Sequence, residues 1–167
     1  MKKIYLSFLV ICSIGFWPAC ATSASEVRLK VSGLINHTNS KDKKSYEFSQ
    51  HDLEKLANIN ITATTPHAGK AIYTGPRVST ILSLVGAKND VKEIVALGLD
   101  GYRVKIPIQE FNKYEIIIAT AQNGKRLTLE TKGPFWLMYP IDKYPKELIN
   151  STIDNRLVWA LVGLTLQ

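Results

Sequence analysis

An α+β domain with a mixed β-sheet, barrel-like core and few short helices is the fold class this sequence predicts, on three observations. β-Prone segments recur from Val27 to Leu166. Two joints between them are Asp100-Gly101 and Asn123-Gly124, dipeptides that favour tight hairpin turns. Only two stretches carry the apolar spacing of a helix, and strands and helices do not alternate strictly.

The chain opens MKKIYLSFLVICSIGFWPACATSASE, with Lys2 and Lys3 ahead of an apolar run from Ile4 to Trp17 and then small residues. That layout is a secretory signal peptide, shorter than the roughly 20 apolar residues of a transmembrane anchor. We expect a leader over 1–24 and a single domain over 25–167, placed in the periplasm or secreted. Lipidation at Cys20 is the rival processing, disfavoured by Trp17 and Pro18 before it. Cys12 and Cys20 are the two cysteines, so the mature domain is expected to hold no disulfide or thiolate ligand. Removing Lys2 and Lys3 takes 21 basic residues to 19 against 14 acidic, and the formal charge from +7 to +5. This modest excess, dense only at Lys41-Asp42-Lys43-Lys44, and the secretory address argue against a nucleic-acid partner.

Val27-Arg28-Leu29-Lys30-Val31 alternates and reads as a strand with one wet face. "YEFSQHDLEKLANI" begins with a short alternating piece and turns helical at Ser49, with Asp52 placed for a reciprocal cap. Ile59 to Thr64 is β-prone, Thr65 to Gly69 reads as a loop, and Ala71 to Tyr73 as a short strand. Gly75-Pro76 then sets up a helix with Val78, Ile81, Leu82 and Val85 on one face, stopped by Gly86. "VKEIVALGL" and "YRVKIPI" form a hairpin about Asp100-Gly101, and Ile106 to Phe111 enters a helical turn. "YEIIIATA" reads as one strand buried on both faces, paired through Asn123-Gly124 with an alternating Arg126 to Thr131. After a Lys-Gly-Pro turn, "FWLMYP" is a buried strand whose faces alternation cannot assign. A polar irregular segment precedes "RLVWALVGLTL", a terminal strand or two strands broken at Gly163.

In this order, "LKVSGLI", "TATTPHAGKAIYTGPRVSTILSLVGA", "ALGLDGYRVKIPIQEF", "IIIATAQNGKRL", "KGPFWLMYP" and "VWALVGL" resemble the sulfite-oxidase-type molybdopterin-binding domain family, from about Val27 to Leu166. The resemblance implies that fold and a pocket near Thr62-Ala63-Thr64-Thr65, where catalytic relatives carry a cysteine that ligates molybdenum. No cysteine stands there, and neither a hydroxyl nor an imidazole replaces that soft anionic sulfur. Catalytic relatives also place an arginine just before the strand matched by "FWLMYP", where this chain has Phe135 and Trp136. The resemblance thus implies the scaffold and an association with bacterial signalling, with a fold alone not fixing a function.

The candidate cofactor- or ligand-binding pocket comprises Thr64, Thr65, His67, Lys70, Arg77, Tyr102, Lys132 and Trp136. The loop 64–70 collects hydroxyls, an imidazole, an amine and free backbone N–H groups that could receive an anion. Its structural alternative is a turn whose threonines bond their own backbone. Arg77 stands at a helix start, where dipole and charge favour anions, or it is simply solvated. Tyr102 and Lys132 are pocket-edge or ordinary turn residues. No zinc spacing, nucleophile elbow or phosphate loop occurs, so neither a catalytic group nor a metal site is assigned. The expected function is a non-catalytic ligand- or partner-binding module, with a small anionic or polar ligand or a membrane sensor as partner. No cofactor is expected, molybdopterin being disfavoured by the missing thiol. The alternatives are a molybdopterin-dependent oxidoreductase without a cysteine ligand, and a structural partner of a membrane sensor.

Overall fold

The computed structural model describes residues 26–167. The expected leader, Ser25 and both cysteines lie outside the described residues.

Strand β1 (Leu29–Gly33) buries Leu29 and Val31 and exposes Lys30, as its alternation requires. It pairs antiparallel with β2 (Ser45–Phe48). Ser49 then caps α1 (Gln50–Glu54). Its hydroxyl accepts from the Asp52 N–H at 3.1 Å, and the Asp52 carboxylate accepts from the Ser49 N–H at 2.9 Å. The helix is one turn shorter than its sequence suggests, so Leu53 is buried but Ala57 lies beyond it, exposed.

β3 (Asn58–Thr65) and β4 (Gly69–Pro76) make one long hairpin, in register from Asn58↔Pro76 to Thr65↔Gly69. The expected loop over 64–70 is therefore mostly ladder, and only residues 66–68 turn. α2 (Val78–Leu84) buries Val78, Ile81 and Leu82, with Val85 buried at its end.

β5 (Glu93–Gly98) and β6 (Arg103–Pro107) form the expected hairpin, followed by α3 (Ile108–Lys113). "YEIIIATA" is not one strand. β7 (Ile117–Ala119) stops at Thr120, whose N–H goes to the Thr74 carbonyl, and β8 (Ala121–Gln122) pairs with β4 instead. β7 is fully buried and β8 only partly, so a single apolar run conceals a change of sheet. β8 turns into β9 (Lys125–Arg126) through Asn123 and Gly124, at φ 49° and 74°, the left-handed pair such a turn requires. The alternation from Arg126 to Thr131 does not continue as a strand. The Thr131 hydroxyl accepts from the Thr128 N–H at 2.8 Å, and a 3-10 turn forms over Leu129–Thr131.

β10 (Trp136–Met138) pairs with β7. Residues 135–139 are all fully buried. The segment expected to be irregular holds a 3-10 turn at Ile141–Lys143 and two four-residue helices, α4 (Pro145–Leu148) and α5 (Ser151–Asp154), too short to show a period. β11 (Leu161–Leu166) is a single strand with a register shift between Leu161 and Gly163.

Three sheets result: β2-β1-β11-β5-β6, β3-β4-β8-β9 and β10-β7. Among the described residues, only β1 and β11 run parallel. Backbone bonds join the sheets edge to edge. Leu137 N–H donates to the Val158 carbonyl and Leu161 N–H to the Phe135 carbonyl, each at 2.9 Å, while Val78 N–H donates to the Ile116 carbonyl. At Gly75 the crossing is so close that a Cβ would lie 1.9 Å from the Ile118 carbonyl oxygen. The obstacle is the backbone of β7 at Ile118 and Ala119, which cannot yield cheaply. Gly75→Ala is expected to lower stability by about 3 kcal/mol in urea denaturation.

Candidate functional site

A cleft of about 250 Å³ lies at the tip of the β3–β4 hairpin. His67 enters it from that tip, Asp100 and Tyr102 from the β5–β6 turn, Asp154 and Asn155 from the end of α5, and Leu157, Val158 and Trp159 from the approach to β11. Local chemistry fixes each wall. The Asp100 carboxylate accepts from the Tyr102 N–H at 2.9 Å, closing the turn. The Tyr102 hydroxyl donates to the Asn155 carbonyl at 2.8 Å, tying the turn to the α5 side. The Trp159 ring meets His67 edge-on at 4.8 Å between centroids.

Behind this cleft stands Trp136. Its indole N–H donates to the Leu157 carbonyl at 3.2 Å, and its ring packs edge-on against Tyr73 and Trp159 at 5.3 and 6.4 Å. The Lys132 ammonium sits 5.2 Å from the Trp136 ring and 5.3 Å from the Trp159 ring, and donates to the His67 carbonyl at 2.7 Å.

Of the eight sequence candidates, only His67 and Tyr102 line the cleft. Lys132 and Trp136 support it from behind, with Trp136 at 0% exposure. Phe135 is equally buried, so these aromatics plug the region rather than line an opening. Thr64 donates its N–H and hydroxyl to the Asp142 carboxylate at 2.7 and 3.2 Å, and Lys70 pairs with the same carboxylate at 3.8 Å. The Thr65 hydroxyl accepts from the Ala68 N–H at 3.1 Å. The Thr64 and Ala68 N–H groups expected to be free in this loop are thus engaged by Asp142 and Thr65. Arg77 belongs to another cluster, pairing with Glu115 at 2.7 Å while Lys143 takes the second carboxylate oxygen. The first amide of α2 is also occupied, by Ile116. His37 and His51 are exposed.

Sequence reasoning missed Asp154, Asn155 and Trp159. Asp154 and Asn155 fall in a polar stretch without a motif, and Trp159 in an apolar run that reads only as strand. A lone tryptophan beside a glycine-containing strand was the available signal.

A second polar network lies nearer the core. The Tyr139 hydroxyl donates to Glu110 at 2.9 Å, and Arg156 pairs with the other Glu110 oxygen. Burial, and secondarily the Glu110 charge, push the Tyr139 phenol up, so it remains a protonated donor.

The fold and the cleft at a hairpin tip define an α+β class of domain in which three sheets enclose one core. The chain belongs to the oxidoreductase molybdopterin binding domain family, whose model matches residues 18–142. The fold continues past the match, since β11 occupies the middle of the five-stranded sheet. Among solved structures it is similar to the sulfane dehydrogenase SoxCD from Paracoccus pantotrophus, with a TM-score of 0.63 and 18% identity. That likeness covers 87% of this chain and 40% of the SoxCD chain, so this chain spans less than half of that one. A comparison with curated proteins finds no matching sequence.

The donor set around the cleft does not fit a molybdenum–molybdopterin centre. No cysteine occurs among the described residues to supply a thiolate ligand. Asp100 and Asp154 would oppose the phosphate of a pterin cofactor, and no arginine lines the cleft to offset them.

The Arg77–Glu115–Lys143 cluster carries a pH signature. Hydrogen bonds from Lys143 and Arg77 hold the Glu115 carboxyl below its ordinary value of 4.5. A lowered carboxyl stabilises the fold above its unfolded value, and that stabilisation disappears as pH falls through the folded one. Melting temperature should therefore fall less steeply below about pH 4.5 in Glu115→Gln than in the parent protein.

Proposed function

We propose that this chain is an exported, periplasmic ligand-binding module on the molybdopterin-binding fold, without molybdenum redox chemistry of its own, serving a membrane sensor or comparable signalling partner. The observation that carries the reading is the cleft at the hairpin tip. It is pre-formed by the Tyr102–Asn155 and Asp100–Tyr102 hydrogen bonds, walled by aromatic side chains, and supplied with carboxylates instead of a thiolate. Export is supported by the Lys2-Lys3 start and the apolar run to Trp17.

Family membership favours a second reading, an oxidoreductase that holds molybdopterin without a cysteine ligand. Bound there, the cofactor would supply two-electron redox chemistry at molybdenum. Protein purified from its native host separates the two. Elemental analysis should find molybdenum far below one atom per chain, and the denatured, oxidised sample should lack pterin fluorescence. One molybdenum per chain with matching pterin would establish the oxidoreductase reading instead.

A further inference from the structure

Resting on the ligand-binding reading, we propose that the cleft takes a small organic cation of the ammonium type, held against Trp159 and Tyr102 with its charge answered by Asp100 and Asp154. The cavity and its aromatic walls are the primary observations. Trp159 is 38% exposed and Tyr102 44% exposed, although each has a buried or hydrogen-bonded anchor. Two large aromatic surfaces left open beside one concavity are unusual for an ordered domain face. Ring faces attract cations through their quadrupole, and this protein already displays that attraction where Lys132 lies against Trp136 and Trp159.

The charges around the cleft set the sign of the ligand. Asp100 and Asp154 both line it, and among the described residues neither has an ion-pair partner. No lysine or arginine lines it. Lys132, which lies against the Trp159 wall, is engaged by the His67 carbonyl and the two rings. A chain with formal charge +7 thus presents two uncompensated carboxylates in its aromatic cleft. A sulfate or sulfite would meet repulsion there, whereas an alkylammonium would gain from both carboxylates and rings. The volume of about 250 Å³ limits the ligand to a compact molecule.

The test titrates the full mature chain with tetramethylammonium chloride, n-butylammonium chloride and sodium sulfate at constant ionic strength. The readout is the indole N–H resonance of Trp159, assigned with Trp159→Phe. Saturable movement with at least one ammonium probe, and none with sulfate, is expected. Affinity should fall about tenfold in the Asp100→Asn, Asp154→Asn double variant, and comparably in Trp159→Ala, followed there through the Tyr102 backbone amide resonance. Each variant's amide spectrum verifies folding; if the double variant unfolds, Asp154→Asn alone supplies the comparison and should weaken binding at least threefold. Saturation by sulfate but by neither ammonium would overturn the cation assignment while leaving a ligand-binding module. Silence from all three probes overturns the cation assignment too, and molybdenum at one atom per chain would separately overturn the module reading.

Discussion

Burial of Trp136 is the constraint on which the other parts of this molecule depend. The residue belongs to the two-stranded sheet, its ring packs on Tyr73 of the four-stranded sheet, and its N–H is held by Leu157 on the approach to the five-stranded sheet. One side chain therefore makes contacts in all three layers. A buried indole N–H without an acceptor is costly, so the 157–161 segment must pass where Leu157 can receive it. That course brings Trp159 beside His67 and forms a wall of the cleft. Core packing and site geometry are in this sense one arrangement.

The same packing decides which polar groups of the hairpin tip stay open. The hairpin tip is closed upon itself, with Thr64 and Lys70 drawn to Asp142 and Thr65 bonded within its own turn. Polar atoms that might have faced a ligand are satisfied internally. The open polar groups instead come from the β5–β6 turn and the end of α5. The tip contributes His67 alone to the cleft, and the carboxylates Asp100 and Asp154 come from those loops.

Much of the fold was legible because its signals were local. Alternation around Lys30, the Ser49–Asp52 cap and the Asn123-Gly124 turn each depend on neighbours a few residues apart, and each forms as the sequence implies. The break at Thr120 was not legible, because the choice between β10 and β4 as a partner is made by tertiary packing. Nor was the end of β9, where threonine hydroxyls compete with the ladder. The site was less legible still. Arg77 invites an anion in sequence, yet Glu115, 38 positions away, occupies it. Trp159 looks like one more strand residue until the fold places it beside a concavity.

The position of β11 also bears on the order in which the molecule can be assembled. It follows the other described strands in sequence, yet it lies between β1 and β5, supplying the only parallel pairing among the described residues. Until residues 161–166 emerge, the β1–β2 and β5–β6 pairs are separate hairpins with no direct ladder between them. Such non-local closure makes the two halves of the five-stranded sheet wait for the segment that joins them, so this sheet is the slow step that local hairpins cannot shorten.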